Sequence, residues 1–326
     1  MNTNKVKFSI ITPVYNSFNL MENYFKSLEQ QKYKNFEVII IDDCSTDNSY
    51  NQLIKYKQNS KLNMKILKTE TNSGPGNARN IGIGIAKGEW ITFIDNDDWV
   101  DTNILEKVEK ILVQNQVNCI IYDYYITNGK KKKISHSMYS EKKGLISISD
   151  CIISVRNHTI GKFYKLSYCR DKNINFPKLK RCEDVAFVCR AIDACGSVYY
   201  MKEAMYYYYQ RSASLSNNKK IDEGDMIKAF NILEDTLENK YPNEIKEKSV
   251  LDLLYGVLLM MCKAGKSNIE IQEYIKKYEE KYPDWYLCEI LHKIGKPKYI
   301  FLMCVKYKMI NILKILSYIH TKLINN

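Results

Sequence analysis

A chain of 326 residues, 45% hydrophobic and 26% charged, has the make-up of an ordinary soluble globular protein and room for two domains. No apolar run approaches the roughly 18 residues of a membrane span, and no N-terminal export signal precedes the first strand-like segment. The ten scattered cysteines lack a C-x-x-C pair, which argues against a zinc module and for a reducing cytoplasm. The net charge of +12 fits nucleic acid, an anionic membrane surface or phosphorylated substrates, so position must decide among them.

In chain order, Phe8 to Val14 reads as a first strand, followed by an amphipathic helix over about 20–31. Phe36 to Ile41 is a second buried strand ending in Asp42-Asp43-Cys44-Ser45, and Ser45 or Asp47 is expected to cap a helix to about Lys57. Met64 to Lys68 forms a third strand. A Gly74-Pro75-Gly76 turn then leads into a small-residue helix over 77–86. Glu89 to Ile94 is a fourth strand, with a helix over 102–114 behind it that Asp101 would cap, and Cys119 to Ile126 is a fifth. Strands alternating with helices through short connections predict an α/β, doubly wound, mostly parallel sheet. After the Lys130–Lys133 run, which follows the hairpin signal Asn128-Gly129, the period blurs. A helix around 182–194 and a Tyr-rich strand around 198–210 are the clearest later elements. From Ile221 the pattern is helical, broken at Pro242, Pro283 and Pro297. A domain boundary is expected near Asn217, giving an α/β domain over 1–217 and a helical domain over 218–326.

The chemistry gathers at strand ends. The apolar run Trp90-Ile91-Thr92-Phe93-Ile94 stops abruptly in Asp95-Asn96-Asp97-Asp98. Ligands of open α/β sheets bind just outside the carboxyl ends of such strands. Three carboxylates there repel one another unless protons or a cation intervene, so a hard divalent ion, Mg²⁺ or Mn²⁺, bridging to a phosphate is the economical reading. A solvated acidic turn before a helix is the plainer alternative. Asp42-Asp43 ends the second strand and faces the same rim, and Thr12-Pro13 at the end of the first would complete a pocket floor. No glycine-rich phosphate loop occurs, which argues against a dinucleotide-dependent dehydrogenase and a P-loop kinase. Gly and Ala recurring over 76–86 cost helix stability. Close approach should repay them, either for packing or for placing Arg79 along a base or ribose.

Four motifs then appear in order: Ser9-Ile10-Ile11-Thr12-Pro13-Val14-Tyr15-Asn16, Ile41-Asp42-Asp43-Cys44-Ser45-Thr46-Asp47, Ala78-Arg79-Asn80-Ile81-Gly82 and Phe93-Ile94-Asp95-Asn96-Asp97-Asp98-Trp99. Together they resemble family 2 glycosyltransferases of the GT-A fold, over about residues 1–215. The resemblance implies an inverting, metal-dependent transfer of a sugar from a UDP-sugar to a hydroxyl of a glycan or lipid-linked acceptor, in bacterial surface-polysaccharide synthesis. By the same resemblance Asp43 or Asp42 contacts uracil, Arg79 supports the nucleoside, and Asp95 and Asp97 form the D-x-D element that holds Mn²⁺ or Mg²⁺. Asp98 would act through the ribose or from behind the ligands, and Asn96 would line the nucleotide site. Cys44 stands where Gly is usual in the family. Glu183-Asp184, in Arg181-Cys182-Glu183-Asp184-Val185, resembles the family's ED motif, with Asp184 as general base and Glu183 beside the acceptor. A helix N-terminus favouring negative charge is the plain alternative. Tyr206 to Ser216 matches the aromatic strand and Arg/Ser loop, where Arg211 is a candidate diphosphate contact, although the usual His is missing.

The tail from Ile290 carries seven lysines and no acidic residue, and apolar and basic positions recur over 299–326 at helical spacing. That predicts a helix able to lie on the inner face of the cell membrane or to dock on the body or a second subunit. A nucleic-acid-binding protein is the rival of another class, but it is disfavoured because the richest loops at the sheet rim are acidic. An inactive glycosyltransferase-like scaffold is disfavoured because every expected carboxylate is present.

Overall fold

A computed structural model describes residues 5–210 and 223–325. Over these the chain divides into two compact units, one of 5–151 with 156–210, the other of 152–155 with 223–325. The first is built on a ten-stranded sheet whose main path runs β3-β2-β1-β4-β9-β6-β10-β5. The strands are β1 (Phe8–Val14), β2 (Phe36–Asp42), β3 (Met64–Lys68), β4 (Trp90–Phe93), β5 (Trp99–Val100), β6 (Cys119–Thr127), β7 (Lys132–Ser135), β8 (Gly144–Ile146), β9 (Lys162–Lys165) and β10 (Val198–Tyr209).

The parallel winding expected from the alternating pattern holds across β3, β2, β1 and β4. All seven residues of β2 are buried, as a strand covered by helices on both faces must be. Beyond β4 the sheet is mixed. The short β9 enters antiparallel between β4 and β6, and β6 and β10 then run parallel to each other. The segment where periodicity faded is filled by β7 to β9 and two short helices, elements too brief to show a period. Asn128-Gly129 does turn a hairpin, with β7 antiparallel to β6 and Gly129 at φ +87°.

The helices of this unit are α1 (Glu22–Glu29), α2 (Ser49–Asn59), α3 (Pro75–Ile85), α4 (Ile104–Gln114), α5 (Ile148–Ser154, whose end belongs to the second unit), α6 (Leu166–Asp171) and α7 (Glu183–Cys195). The second helix starts later than expected. Asp47 Oδ1 accepts from the Ser49 N–H at 2.9 Å, so the acidic residue ties down the first helical N–H from two positions before it. Asp101 acts similarly, accepting from the Asn103 N–H at 2.9 Å ahead of α4.

The small residues of α3 have two separate uses. A Cβ on Gly82 would lie 2.3 Å from Ile11 of β1, so this glycine lets the helix lie against the sheet. A Cβ on Gly76 would lie 2.9 Å from Glu183, so that one brings α3 up to the acidic start of α7.

The second unit is helical: α8 (Glu223–Leu237), α9 (Pro242–Ser249), a π-helical stretch Val250–Val257, α10 (Leu258–Lys263), α11 (Asn268–Lys281), α12 (Ile290–Lys293), α13 (Lys296–Lys306) and α14 (Ile310–Asn325). Pro242 and Pro297 fall in the first turns of α9 and α13, where a missing N–H costs nothing. Its core includes Phe230, Leu254, Ile271, Trp285 and Leu302, all buried. On α13 and α14, Tyr299, Ile300, Ile312 and Ile315 remain exposed. No helix among the described residues is long and apolar enough to cross a membrane.

Candidate active site

The carboxylates at the ends of β2 and β4 and at the start of α7 lie at one rim of the sheet, in two groups with different surroundings. At β2, Asp43 is a knot between loops. Its Oδ1 accepts from the Ser73 N–H and the Thr69 hydroxyl, both at 3.1 Å, and its Oδ2 from the Gly74 N–H at 2.7 Å. Its own N–H donates to the Val14 carbonyl at 2.7 Å. Asp42 is fully buried. Its Oδ1 accepts from the Ser45 N–H at 3.0 Å, while Oδ2 meets no donor among the described residues. Asn16, at φ +50°, accepts from the Thr46 and Asp47 N–H groups and fastens the β1 loop to this turn. Cys44 sits at φ +61°, in the left-handed region that explains why glycine is usual there. Thr12 is fully buried too. Its hydroxyl donates to the Ile94 carbonyl at 2.8 Å and bonds the Tyr24 hydroxyl at 2.7 Å, so it braces β1 against β4 beneath the rim, with half-buried Pro13 beside it.

Two surface hollows accompany this region. One of about 350 Å³ lies beside the Asp43 knot, lined by Thr69, Ser73 and Asn77 among others. The other, of about 480 Å³, lies over α2 near Asn48 and Tyr56, away from the carboxylates.

The second group centres on Arg79. Buried on α3, its guanidinium spans two motifs: Nη2 to Asp95 Oδ1 at 2.9 Å and Nη1 to Glu183 Oε1 at 3.0 Å. The ring of Phe176 lies 5.5 Å from Cζ and stacks on Phe187 at 3.9 Å, so the bridge has an apolar floor. Burial works against the guanidinium's charge, yet Asp95, Glu183 and Asp184 outweigh it and raise its pKa. The residue expected along a base or ribose is therefore placed between the D-x-D loop and the ED helix.

In the loop after β4, Asp95, Asn96 and Asp97 are half-exposed, whereas Asp98 is fully buried. Asn96 Nδ2 donates to the Ser17 hydroxyl at 2.5 Å. Asp98 accepts from the Tyr206 hydroxyl at 2.6 Å and from the Tyr209 N–H at 2.7 Å. The Tyr206 hydroxyl in turn accepts from the Asp95 N–H at 3.1 Å. Burial, and then the charges of Asp95 and Asp97, push the Asp98 carboxyl well above the usual range. Asp98 thus shapes the loop from behind, together with Tyr206, whose part in the loop shows only in the fold.

At α7, Cys182 precedes the helix at φ +60°, an unfavourable angle for a residue with a side chain, and it turns Glu183 and Asp184 into the site. Glu183 is buried against Arg79, while Asp184 stays half-exposed. Burial and the neighbouring Glu183 raise the Asp184 carboxyl to about 7, against the opposing pull of Arg79 and Lys162. Lys162 is fully buried on β9 and donates to the His158 carbonyl at 2.6 Å. Burial brings its ammonium down to about 8, although Cys119, Cys151 and Asp184 favour the charge. Nothing in the sequence marks Lys162, because its depth is a property of the packed sheet. Arg211 lies outside the described residues.

The oxygen donors of this rim suit a hard divalent ion, Mn²⁺ or Mg²⁺. In the loop after β4, Asp95 and Asp97 are the part-exposed carboxylates, and the repulsion that burdens Asp98 is what a cation would relieve. Among the described residues no three His, Cys, Asp or Glu converge on one point. Asp95 and Asp97 are thus the two protein carboxylates that such an ion would find in this loop.

A parallel four-stranded start, an antiparallel insertion, an acidic loop after β4 and an acidic helix start after β9 define the GT-A class of nucleotide-sugar transferase folds. Residues 9–172, half of the chain, match the family model "Glycosyl transferase family 2", and the chain belongs to that family. The poly(ribitol-phosphate) beta-N-acetylglucosaminyltransferase TarS of Staphylococcus aureus strain MW2 is 32% identical over 208 residues, 62% of this chain and 35% of that protein. The poly(ribitol-phosphate) beta-glucosyltransferase of Bacillus spizizenii is 33% identical over 213 residues, again 62% of this chain and 32% of that protein. These curated relatives are thus matched over about a third of their own length. The crystal structure of S. aureus TarS 1–349 in complex with UDP-GlcNAc superposes with a TM-score of 0.70 at 21% identity, covering 97% of this chain and 92% of that one.

Proposed function

We propose that the protein is an inverting glycosyltransferase that moves a sugar from a UDP-sugar to a hydroxyl of a glycan or lipid-linked acceptor in bacterial surface-polysaccharide synthesis. The observation that carries this reading is the geometry at Arg79, which ties Asp95 at 2.9 Å to Glu183 at 3.0 Å and so sets the acidic loop beside the part-buried Asp184, whose carboxyl burial and then Glu183 raise to about 7. A general base works best when its pKa lies near the operating pH. The Asp184 carboxylate takes the proton of the acceptor hydroxyl as that oxygen forms its bond to the anomeric carbon. The bond from that carbon to the diphosphate breaks, and UDP leaves with the electron pair. Asp97 and Asp95 would hold Mn²⁺ or Mg²⁺, whose chemistry is to stabilise the negative charge of the leaving diphosphate. Arg79 sets the Asp95 carboxylate by its ion pair, and Tyr206 sets the loop through Asp98 and the Asp95 N–H. The Asp42-Asp43 turn, with an unpartnered Asp42 Oδ2, and the Thr12-Pro13 strand end would receive the base, with Asn96 toward the ribose and Arg211 toward the diphosphate. The names of the relatives favour a hexosyl or N-acetylhexosaminyl donor.

Calorimetry with UDP and Mn²⁺ tests the first step. Wild type should bind in a metal-dependent way and Asp97→Ala should lose most of that dependence; absence of UDP binding to wild type would remove the reading. The exposed Tyr299, Ile300, Ile312 and Ile315, set among lysines, support contact of the tail with an anionic membrane surface, where a lipid-linked acceptor would lie. Sedimentation with anionic but not neutral vesicles is the expected result, and a stable homodimer in solution that ignores vesicles would favour docking on a second subunit.

A further inference from the structure

One row of side chains leads away from the acidic loop. Trp99, directly after Asp98, stacks on Tyr207 at 5.4 Å with 9° between the rings, and Tyr207 stacks on Tyr125 at 5.0 Å and 26°. The ammonium of Lys132 caps the row, 4.3 Å from the Tyr125 ring and 5.3 Å from that of Tyr207. The row follows from register: Trp99 of β5 faces Tyr207 of β10, which faces Tyr125 of β6, so all three side chains rise from the same side of the sheet. All three rings are half-exposed, and the opposite face takes the buried Tyr206, Tyr124 and Val100.

That side is also the side on which α7, which begins with Glu183 and Asp184, packs. Ile121, two pleats before Tyr125, faces Lys162 across β6 and β9, and Tyr164, on the same side of β9 as Lys162, meets Phe187 of α7 with ring centroids 5.7 Å apart. The row therefore starts at the acidic loop and runs across the face on which α7 packs. It ends at the lysine-rich hairpin, where Lys130, Lys131, Lys132 and Lys133 are exposed and form no ion pair with a carboxylate among the described residues.

We propose that Trp99, Tyr207, Tyr125 and Lys132 form an acceptor subsite for a chain bearing phosphodiester groups, its sugar or polyol units against the rings and a phosphate at Lys132. Rings give apolar area at little entropic cost, and exposed lysines select an anionic chain over a neutral one. This rests on the glycosyltransferase reading for its purpose, but binding can be measured apart from transfer.

The test titrates the full chain with a short oligomer of ribitol phosphate, an uncharged chitooligosaccharide of equal length, and a single-stranded oligonucleotide. The ribitol phosphate oligomer should bind most tightly, more weakly as salt rises. Lys132→Glu, a surface change, and Tyr207→Leu should each weaken it at least tenfold and raise the acceptor KM more than they lower kcat. Circular dichroism and UDP titration of both variants report whether the fold survives. Unchanged affinity in both folded variants overturns the proposal, as does tighter binding of the neutral oligosaccharide or the oligonucleotide. Failure of wild type to bind UDP would instead strike the reading of the carboxylate rim and leave the oligomer titration interpretable.

Discussion

The two acidic turns at the rim, Asp42-Asp43 after β2 and Asp95 to Asp98 after β4, look alike in sequence and differ in physics. Asp43 is saturated by backbone N–H groups and a hydroxyl, so its charge is met by fixed dipoles of the loops it joins. The Asp95 loop and the start of α7 hold five carboxylates, and Arg79 is the cation that bridges them. Where dipoles satisfy a carboxylate, it organises backbone. Where carboxylates outnumber the cation between them, proton affinities move, and Asp184 and Asp98 rise.

The largest effect that would sharpen this contrast is on rate. Asp184→Asn should lower transfer by about 10²–10⁴-fold with UDP affinity kept, the usual worth of a general base. In wild type kcat/KM should climb as pH rises through about 7, where Asp184 loses its proton, and Glu183→Gln should move that limb to lower pH by removing a like charge. Stability has the opposite sign. The native state holds this proton more tightly than the unfolded chain does, so its contribution is present below the ordinary Asp range and lost as pH rises through about 7. Asp184→Asn should therefore be more stable than wild type at pH 8, by on the order of 1 kcal/mol after discounting for partial exposure. Less stability there would contradict the charge conflict.

Next in size is Arg79→Met. It leaves Glu183 buried and unpaired, which should cost about 3–5 kcal/mol in urea denaturation, and adding Glu183→Gln should recover part of that. Additive losses in the double variant would mean that the bridge is not the link between the two motifs.

The smallest effect belongs to the other turn. Cys44→Gly should be more stable than Cys44→Ala by about 1 kcal/mol, since alanine keeps a Cβ in the left-handed region and glycine does not. Equal melting temperatures would show the turn to be unstrained.

Periodicity in the sequence located β1 to β4 and the helices between them because each is long enough to show a pattern, and the short β5, β7, β8 and β9 passed unseen for the converse reason. Local order also determined which acids meet the rim, since a carboxylate that follows a parallel strand can go nowhere else. Tertiary structure decided what surrounds each of them. Arg79 is separated from Glu183 by 104 positions, and Tyr206 from Asp98 by 108, so neither pairing leaves a local trace. The same holds for the burial of Lys162 and for the alignment of Trp99, Tyr207 and Tyr125, which needs three strands in register. Residue types and short spacings are written in the chain. Dielectric surroundings, charge balance and cross-strand register arise only when distant segments pack, and those are what set the proton affinities of this site.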